Sequence, residues 1–98
     1  SIYDIIMVLD FNEAKSARNL KERGIGFERF AEMDLETAVS VEDTRTDYGE
    51  GRIRMFGHIE GRLHVAIITL RGEKVRAISL RRANQREERR YAKERQSS

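Results

Sequence analysis

Residues 52–70, RIRMFGHIEGRLHVAIITL, form two runs of β-branched and apolar residues on either side of a glycine-bearing turn. This pattern is typical of an antiparallel β-hairpin. A two-residue loop would pair Ile59 with Arg62 and mix apolar with polar residues on both faces. A three-residue loop centred on Gly61 would instead pair Ile59 with Leu63 and give one clean apolar face. The sequence therefore favours the three-residue loop.

This register puts basic and titratable side chains on the other face of the sheet. Extending it through the RGEK loop, with Leu70 opposite Val75, predicts that this face carries Arg52, Arg54, His58, His64, Ser79 and Arg81. His58 and His64 would lie opposite each other, but two imidazoles without a third ligand make an incomplete zinc site. We therefore interpret them as half-exposed strand residues and predict no metal site.

The rest of the chain predicts an α+β fold in which helices are segregated onto an antiparallel sheet. Asn12 is a candidate N-cap, and Gly24 and Gly26 are candidates to end the helix that follows it. The predicted elements are a strand at 2–9, a helix from Asn12 to Gly24, a short helix at 27–34, strands at 37–44, 52–59, 62–70 and 75–80, and a helix at 82–95. Their order is β-α-α-β-β-β-β-α.

Length and composition limit the class of protein. The chain has 98 residues and no cysteine, so it has no disulfide framework and no thiolate metal site. No apolar run approaches the roughly 18 residues that a membrane span needs. We therefore expect a single domain over residues 1–98, in the cytoplasm.

Positive charge is concentrated at the end of the chain. Residues 1–80 carry 12 Lys or Arg against 14 Asp or Glu, whereas residues 81–96 carry 7 against 3. A basic excess on one element is typical of proteins that bind an anionic partner, nucleic acid before membrane. The alternative is a solvated helix face.

Three blocks of the sequence resemble the BrnT family of toxins. RAISLRRANQREERRY resembles the family pattern R-I-I-S-A-R-x-A-x-x-x-E-R-x-x-Y; the matching residues are Arg76, Ile78, Ser79, Arg81, Ala83, Glu87 and Tyr91. LDFNEAKSARNLKERGIGF is similar to the family's N-terminal block, with Lys15, Asn19, Gly24, Ile25 and Phe27 in place. Between them, DTRTDYGEGR resembles the family's acidic stretch, with Gly49, Glu50 and Arg52 in place.

The resemblance implies a RelE-like fold and an endoribonuclease that inhibits translation, works without a metal or cofactor, and is held inactive by a ribbon-helix-helix antitoxin. Operator DNA would be contacted only through the complex with that antitoxin. Arginine suits the phosphate because its fork is always charged and bidentate. On this basis we predict a catalytic set of Arg81, Glu87 and Arg71, and RNA-binding residues Arg23, Arg52, Arg54, Arg76, Arg89 and Arg90.

Other interpretations of these residues stay open at this stage. Arg81 and Glu87 could form an ion pair that fixes the terminal helix to the sheet, and Tyr91 is more typical of a packing residue than of a base. The family's Lys-His-Gly is Glu22-Arg23-Gly24 here, so a histidine acting there as acid or base would be absent. The alternative functions are therefore a catalytically weak toxin that acts mainly in an autoregulatory DNA-binding complex, and a plain RNA-binding module.

Overall fold

A computed structural model describes residues 8–44 and 49–96. Its elements are the strands β1 (Val8–Asp10), β2 (Val39–Glu42), β3 (Ile53–Ile59), β4 (Arg62–Arg71) and β5 (Lys74–Arg82), the helices α1 (Glu13–Arg23) and α2 (Gln85–Gln96), and a 3₁₀ helix (Phe27–Glu32). The fold is α+β, as predicted. The second predicted helix has 3₁₀ geometry, and residues 2–7 of the predicted first strand lie outside the described residues.

The five strands form one mixed sheet with the order β1-β5-β4-β3-β2. Strands β2 to β5 are antiparallel, but β1 pairs in parallel with β5. The prediction of an antiparallel sheet was therefore right for four strands and wrong for the first. A parallel pair needs a long crossover, and here the chain between β1 and β5 supplies it.

The predicted register of the β3–β4 hairpin was wrong. Ile59 pairs with Arg62, so the loop has two residues, Glu60 and Gly61. Their φ angles are 51° and 76°, and positive φ at both positions is the geometry of a type I′ turn, whose twist matches that of the flanking strands. This register leaves apolar and polar residues on both faces of the hairpin. The cost in stability is small because β4 is covered on both sides, and its buried residues include Leu63, Val65, Ala66 and Ile68.

The register of the β4–β5 hairpin was predicted correctly at its turn and changes further along. Leu70 pairs with Val75 as expected, but a bulge between Ile67 and Ile68 shifts the pairing by one residue. Ser79 therefore lies opposite Ile67. A bulge adds one residue to one strand and so moves every later side chain on that strand to the other face.

The register of the β3–β4 hairpin and the bulge in β5 each shift the predicted pairing by one residue, and the two shifts cancel for the predicted polar face. Arg54 and His58 of β3 share a face with Ser79 and Arg81 of β5, as predicted, because Arg54 pairs with Ile67 and Ile67 with Ser79. His64 does not lie there. It pairs with Gly57, on the opposite face from His58, so the expectation that the two histidines oppose each other was wrong.

The main core lies between the sheet and the layer formed by α1 and the 3₁₀ helix. Its buried members are Ile25, Phe27, Phe30, Met33, Ile59, Ala66, Ile68, Val75, Ala77 and Leu80. Helix α1 begins and ends as predicted: the Asn12 side chain accepts a hydrogen bond from the Lys15 backbone N–H, and Gly24 takes a left-handed conformation with φ 79°. The opposite face of the sheet, which carries Arg54 and Arg81, is called the α2 face below.

Polar residues, rather than alanine or leucine, attach α1 to the core. The Asn19 side-chain amide donates to the carbonyls of Ile25 and Leu80, each at 2.7 Å. Ser16 is buried, and its hydroxyl accepts from the Phe27 backbone N–H at 2.8 Å. Leu20 is 54% exposed. The buried stripe of this helix is therefore narrow and hydrogen-bonded.

Helix α2 begins later than predicted because β5 continues to Arg82. Asn84 and Glu87 form a capping box: the Asn84 side chain accepts from the Glu87 N–H at 2.8 Å, and the Glu87 carboxylate accepts from the Asn84 N–H at 2.9 Å. None of the described helices is long and apolar enough to cross a membrane.

Candidate functional site

The centre of the α2 face is an ion pair between Arg81 and Glu87. The Arg81 guanidinium donates to both carboxylate oxygens of Glu87, at 2.8 and 2.9 Å. Such a bidentate pair fixes the plane of the guanidinium. The side chain of Arg81 is 33% exposed and that of Glu87 is 16% exposed. The arginine therefore keeps a third of its side chain at the surface, while the carboxylate is largely covered.

Glu87 is held in its charged form. The hydrogen bond from Arg81 lowers the pKa of this carboxyl below its usual range against the opposing effect of burial, and the Asn84 N–H and the charges of Arg81 and Arg54 lower it further. A carboxylate with a lowered pKa and three donors is a weak proton acceptor near neutral pH. The geometry therefore suits Glu87 for positioning Arg81 better than for removing a proton.

Arg54 brings a second guanidinium to the same area. Arg54 lies opposite Ile67 of β4, and Ile67 lies opposite Ser79 of β5, so Arg54 is on the α2 face in the row next to that of Arg81. Its positive charge helps to lower the pKa of Glu87. Its Nε is buried and has no hydrogen-bond partner among the described residues. A buried donor without a partner is costly, but an atom closed to solvent cannot bind a ligand directly, so Arg54 contributes to this area through its positive charge.

A polar cleft of about 490 Å³ lies between α2 and the β3–β4 turn, and its arginines are Arg62 and Arg82. His58 and Tyr91 line it, with ring centroids 5.3 Å apart in a T-shaped arrangement. The Tyr91 hydroxyl donates to the Thr37 carbonyl at 2.6 Å, which anchors α2 against the start of β2. The tyrosine therefore has the predicted packing role, and His58 provides an imidazole in the same cleft.

The structure does not bring Arg71 to this site. Arg81 lies opposite Val65, whereas Arg71 is six residues further along β4, a separation of about 20 Å at the usual rise of a strand. Arg71 instead pairs with Glu50, at 3.2 Å. Its predicted catalytic role therefore receives no support from proximity to Arg81 and Glu87.

The predicted RNA-binding arginines are spread over the molecule. Arg76 is bound to Asp10 at 2.7 Å and lowers the pKa of that carboxyl through this hydrogen bond. Arg52 lies just before β3 in a shallow groove with Val41 and Leu70. The others are Arg23 at the end of α1, Arg54 on the α2 face, and Arg89 and Arg90, both exposed on α2.

His58 is the member of the site that the sequence did not single out. It was interpreted, together with His64, as a half-exposed strand residue because two imidazoles without a third ligand make an incomplete zinc site. A usable signal was present in the four-residue spacing of Glu87 and Tyr91, which puts both on one face of α2. That face had to lie against the sheet somewhere near Arg81.

No curated protein matches this chain. Within the described residues, no group of three or more His, Asp or Glu side chains could hold a metal ion. A family model described as "Ribonuclease toxin, BrnT, of type II toxin-antitoxin system" matches residues 11–87. This match covers α1, the sheet from β2 to β5 and the first turn of α2, including both members of the Arg81–Glu87 pair. The chain therefore belongs to the BrnT family of ribonuclease toxins of type II toxin–antitoxin systems.

Proposed function

We propose that this chain is an endoribonuclease toxin that cuts RNA at the α2 face without a metal ion, on a RelE-like fold. The observation that carries the proposal is the convergence of Arg54 and Arg81 around Glu87, with His58 in a cleft on the same face of the sheet. The family supplies the chemistry, RNA cleavage. The side chains of the α2 face form the site at which this cleavage would take place.

RNA can be cut by its own 2′-oxygen. The 2′-hydroxyl loses a proton, its oxygen bonds to the adjacent phosphorus, the bond from phosphorus to the 5′-oxygen breaks, and that 5′-oxygen gains a proton. The products are a 2′,3′-cyclic phosphate, or the 3′-phosphate that its hydrolysis gives, and a 5′-hydroxyl. A protein assists by holding the 2′-oxygen in line and by stabilising negative charge on the phosphorane.

The residues of the α2 face fit these tasks. Arg81, held in plane by Glu87, and Arg54, whose positive charge acts on the same carboxylate, are the groups for the phosphorane charge. Two guanidinium groups also repel a divalent cation, which favours metal-free cleavage. His58 is the candidate for proton transfer. Glu87 is a positioning residue because it would act through Arg81.

The test is cleavage of single-stranded RNA in excess chelator, with the 3′ ends of the products identified. We expect cutting to persist and to leave cyclic phosphate or 3′-phosphate ends. Arg81→Ala should lose on the order of 10²-fold or more in rate, while its circular dichroism spectrum stays that of the parent. Loss of cutting in chelator would overturn the metal-free mechanism.

A matched variant separates the role of Arg81 from that of the ion pair. Glu87→Gln breaks the same pair but keeps the guanidinium, and the amide oxygen can still accept from Asn84. We expect it to lose less activity than Arg81→Ala. Equal losses of activity, together with an equal loss in the free energy of unfolding, would mean that the pair only fixes α2 to the sheet.

The family implies an antitoxin partner as well as an RNA target. We expect a ribbon-helix-helix antitoxin, with operator DNA bound only through the complex. A ribbon-helix-helix reading frame beside this one would support this pairing. If the parent chain binds RNA but leaves it uncut under all metal conditions, the alternative of a weak toxin acting in such a complex, favoured by Arg23 in place of the family's histidine, replaces the proposal.

A further inference from the structure

A second, smaller cleft of about 180 Å³ lies on the other side of the β3–β4 turn, where α1 ends. We call it the α1 crevice. Its basic and titratable lining residues are Arg23, Arg29, Arg62, Arg82 and His64, and Glu60 is its one carboxylate. Nothing in the cleavage chemistry described above uses it.

Two features of the fold bring these residues together. His64 pairs with Arg82 across β4 and β5, and Arg62 lies two residues from His64, so all three project from the face opposite Arg81. Asn19 bonds to the Leu80 carbonyl and thereby holds the last turn of α1, with Arg23, against the end of β5.

The charge of the crevice is not balanced by the protein. Arg29 is paired with Glu32 and, at 3.0 Å, with Glu60. For Arg23, Arg62 and Arg82, the described residues provide no ion pair and no side-chain hydrogen bond. Arg23 does offset the negative end of α1, but that end amounts to roughly half a charge, and Arg62 and Arg82 are on strands.

His64 adds an imidazole nitrogen for which the described residues provide no hydrogen-bond partner. The residue is only 6% exposed, and its Nδ1 lies 2.8 Å from the Arg62 carbonyl, so Nδ1 must donate. Its Nε2 has no hydrogen-bond partner among the described residues. Nε2 is not among the buried unpaired side-chain atoms of the described residues, and His64 lines the crevice, so this nitrogen is open to a ligand there.

The α1 crevice continues into the cleft of the α2 face. Both clefts are lined by Glu60, Arg62 and Arg82. An RNA strand bound in one cleft can therefore reach the other cleft by passing over the Glu60–Gly61 turn. We infer that the α1 crevice is a second phosphate site, which holds a backbone phosphate of the same RNA beside the one that is cut. This inference rests on the proposed RNA cleavage for its substrate.

Arg23 provides the cleanest test because it lines the α1 crevice and does not line the cleft of the α2 face. The probe is a 12-nucleotide 2′-O-methyl RNA, which cannot be cut because its 2′-oxygens are blocked. Its affinity is measured by fluorescence anisotropy at several salt concentrations. Arg18→Gln is the matched control, since it removes one exposed positive charge from the same helix.

We expect Arg23→Gln to weaken binding by about 3- to 10-fold and to reduce the slope of log affinity against log salt by about 0.7, the loss of one phosphate contact. Arg18→Gln should change neither. Identical behaviour of the two variants would overturn the inference, even if the parent protein cuts RNA. Conversely, the expected difference in a parent protein that does not cut RNA would support the inference while the proposed cleavage fails.

An acidic segment of an antitoxin is the other ligand that such a crevice could hold. If Arg23→Gln slows antitoxin binding but leaves RNA affinity and its salt slope unchanged, the crevice belongs to the antitoxin and the RNA inference is wrong.

Discussion

Glu87 shows how one side chain can connect an element boundary to a candidate site. It completes the capping box with Asn84, which starts α2, and it holds the Arg81 guanidinium in a bidentate pair. The sequence offered the ion pair and the catalytic carboxylate as competing interpretations. The geometry shows the ion pair and makes it compatible with a functional arginine, because 33% of the Arg81 side chain stays exposed.

The lowered pKa of Glu87 predicts an acid-dependent loss of stability. In the unfolded chain this carboxyl takes up its proton near its ordinary value of 4.5, whereas in the folded protein it does so at a lower pH. Its contribution is therefore fully present above about pH 4.5 and is lost as the pH falls through the folded pKa. Glu87→Gln should cost about 1–2 kcal/mol at pH 7 and less at pH 3, measured by urea unfolding.

Glu94→Gln is the control for that comparison, since Glu94 lies exposed on the same helix. It should change the free energy of unfolding little at either pH. A difference between the parent and Glu87→Gln that is the same at pH 7 and pH 3 would show that the charge of Glu87 does not stabilise the fold.

At the scale of elements, the β3–β4 turn determines which residues meet. Its two-residue loop puts His58 on the α2 face and His64 in the α1 crevice. The turn depends on positive φ at both of its positions, and at 76° Gly61 adopts a conformation that residues with a Cβ avoid.

Gly61→Ala should therefore destabilise the protein by about 1–2 kcal/mol. A Cβ at Gly61 would meet nothing within 4 Å, so the loss would come from the backbone alone. Gly51→Ala is a matched control, because a Cβ there also meets open space and its φ is outside the left-handed region. Urea unfolding of both variants checks this. Similar midpoints for the two would mean that the turn can change type without cost.

For the whole molecule, the basic residues of α2 lie along one side of the sheet. Glu87 and Tyr91 face the strands, and Arg89 and Arg90 stay exposed on α2. A protein that silences a nuclease by covering this surface would present acidic side chains to it. Its association rate should then fall as salt rises.

Charge reversal at Arg89 and Arg90 tests whether this surface binds phosphate. The double variant Arg89→Glu, Arg90→Glu should weaken RNA binding to a similar degree across RNA sequences, because phosphate contacts position a strand without specifying it. The slope against salt should also become shallower. The comparison is Lys15→Glu, Arg18→Glu on α1, which makes the same change of charge. If both double variants retain the affinity and salt slope of the parent, the basic face of α2 contacts only solvent.

The sequence by itself determined the features that depend on neighbours along the chain. Asn12 caps α1 and Gly24 ends it as predicted, since both effects act within one helical turn. The RGEK loop likewise set the pairing of Leu70 with Val75. The residues shared with the BrnT family were also sufficient to identify that family before the fold was known.

Only the tertiary structure decided the register of the β3–β4 hairpin, the bulge in the β4–β5 ladder and the parallel pairing of β1 with β5. The alternation of apolar residues could not fix the register of the β3–β4 hairpin. Both faces of β4 are covered, so this strand tolerates the register of a two-residue loop and that of a three-residue loop. A one-residue slip moves a side chain to the opposite face. Of these features, only the pairing of β1 with β5 joins residues far apart in the chain. In the two hairpins the competing registers differ by a single residue, and packing on both faces of the sheet decides between them. The placement of His64 in the α1 crevice and of His58 on the α2 face therefore depends on the packing of the whole sheet.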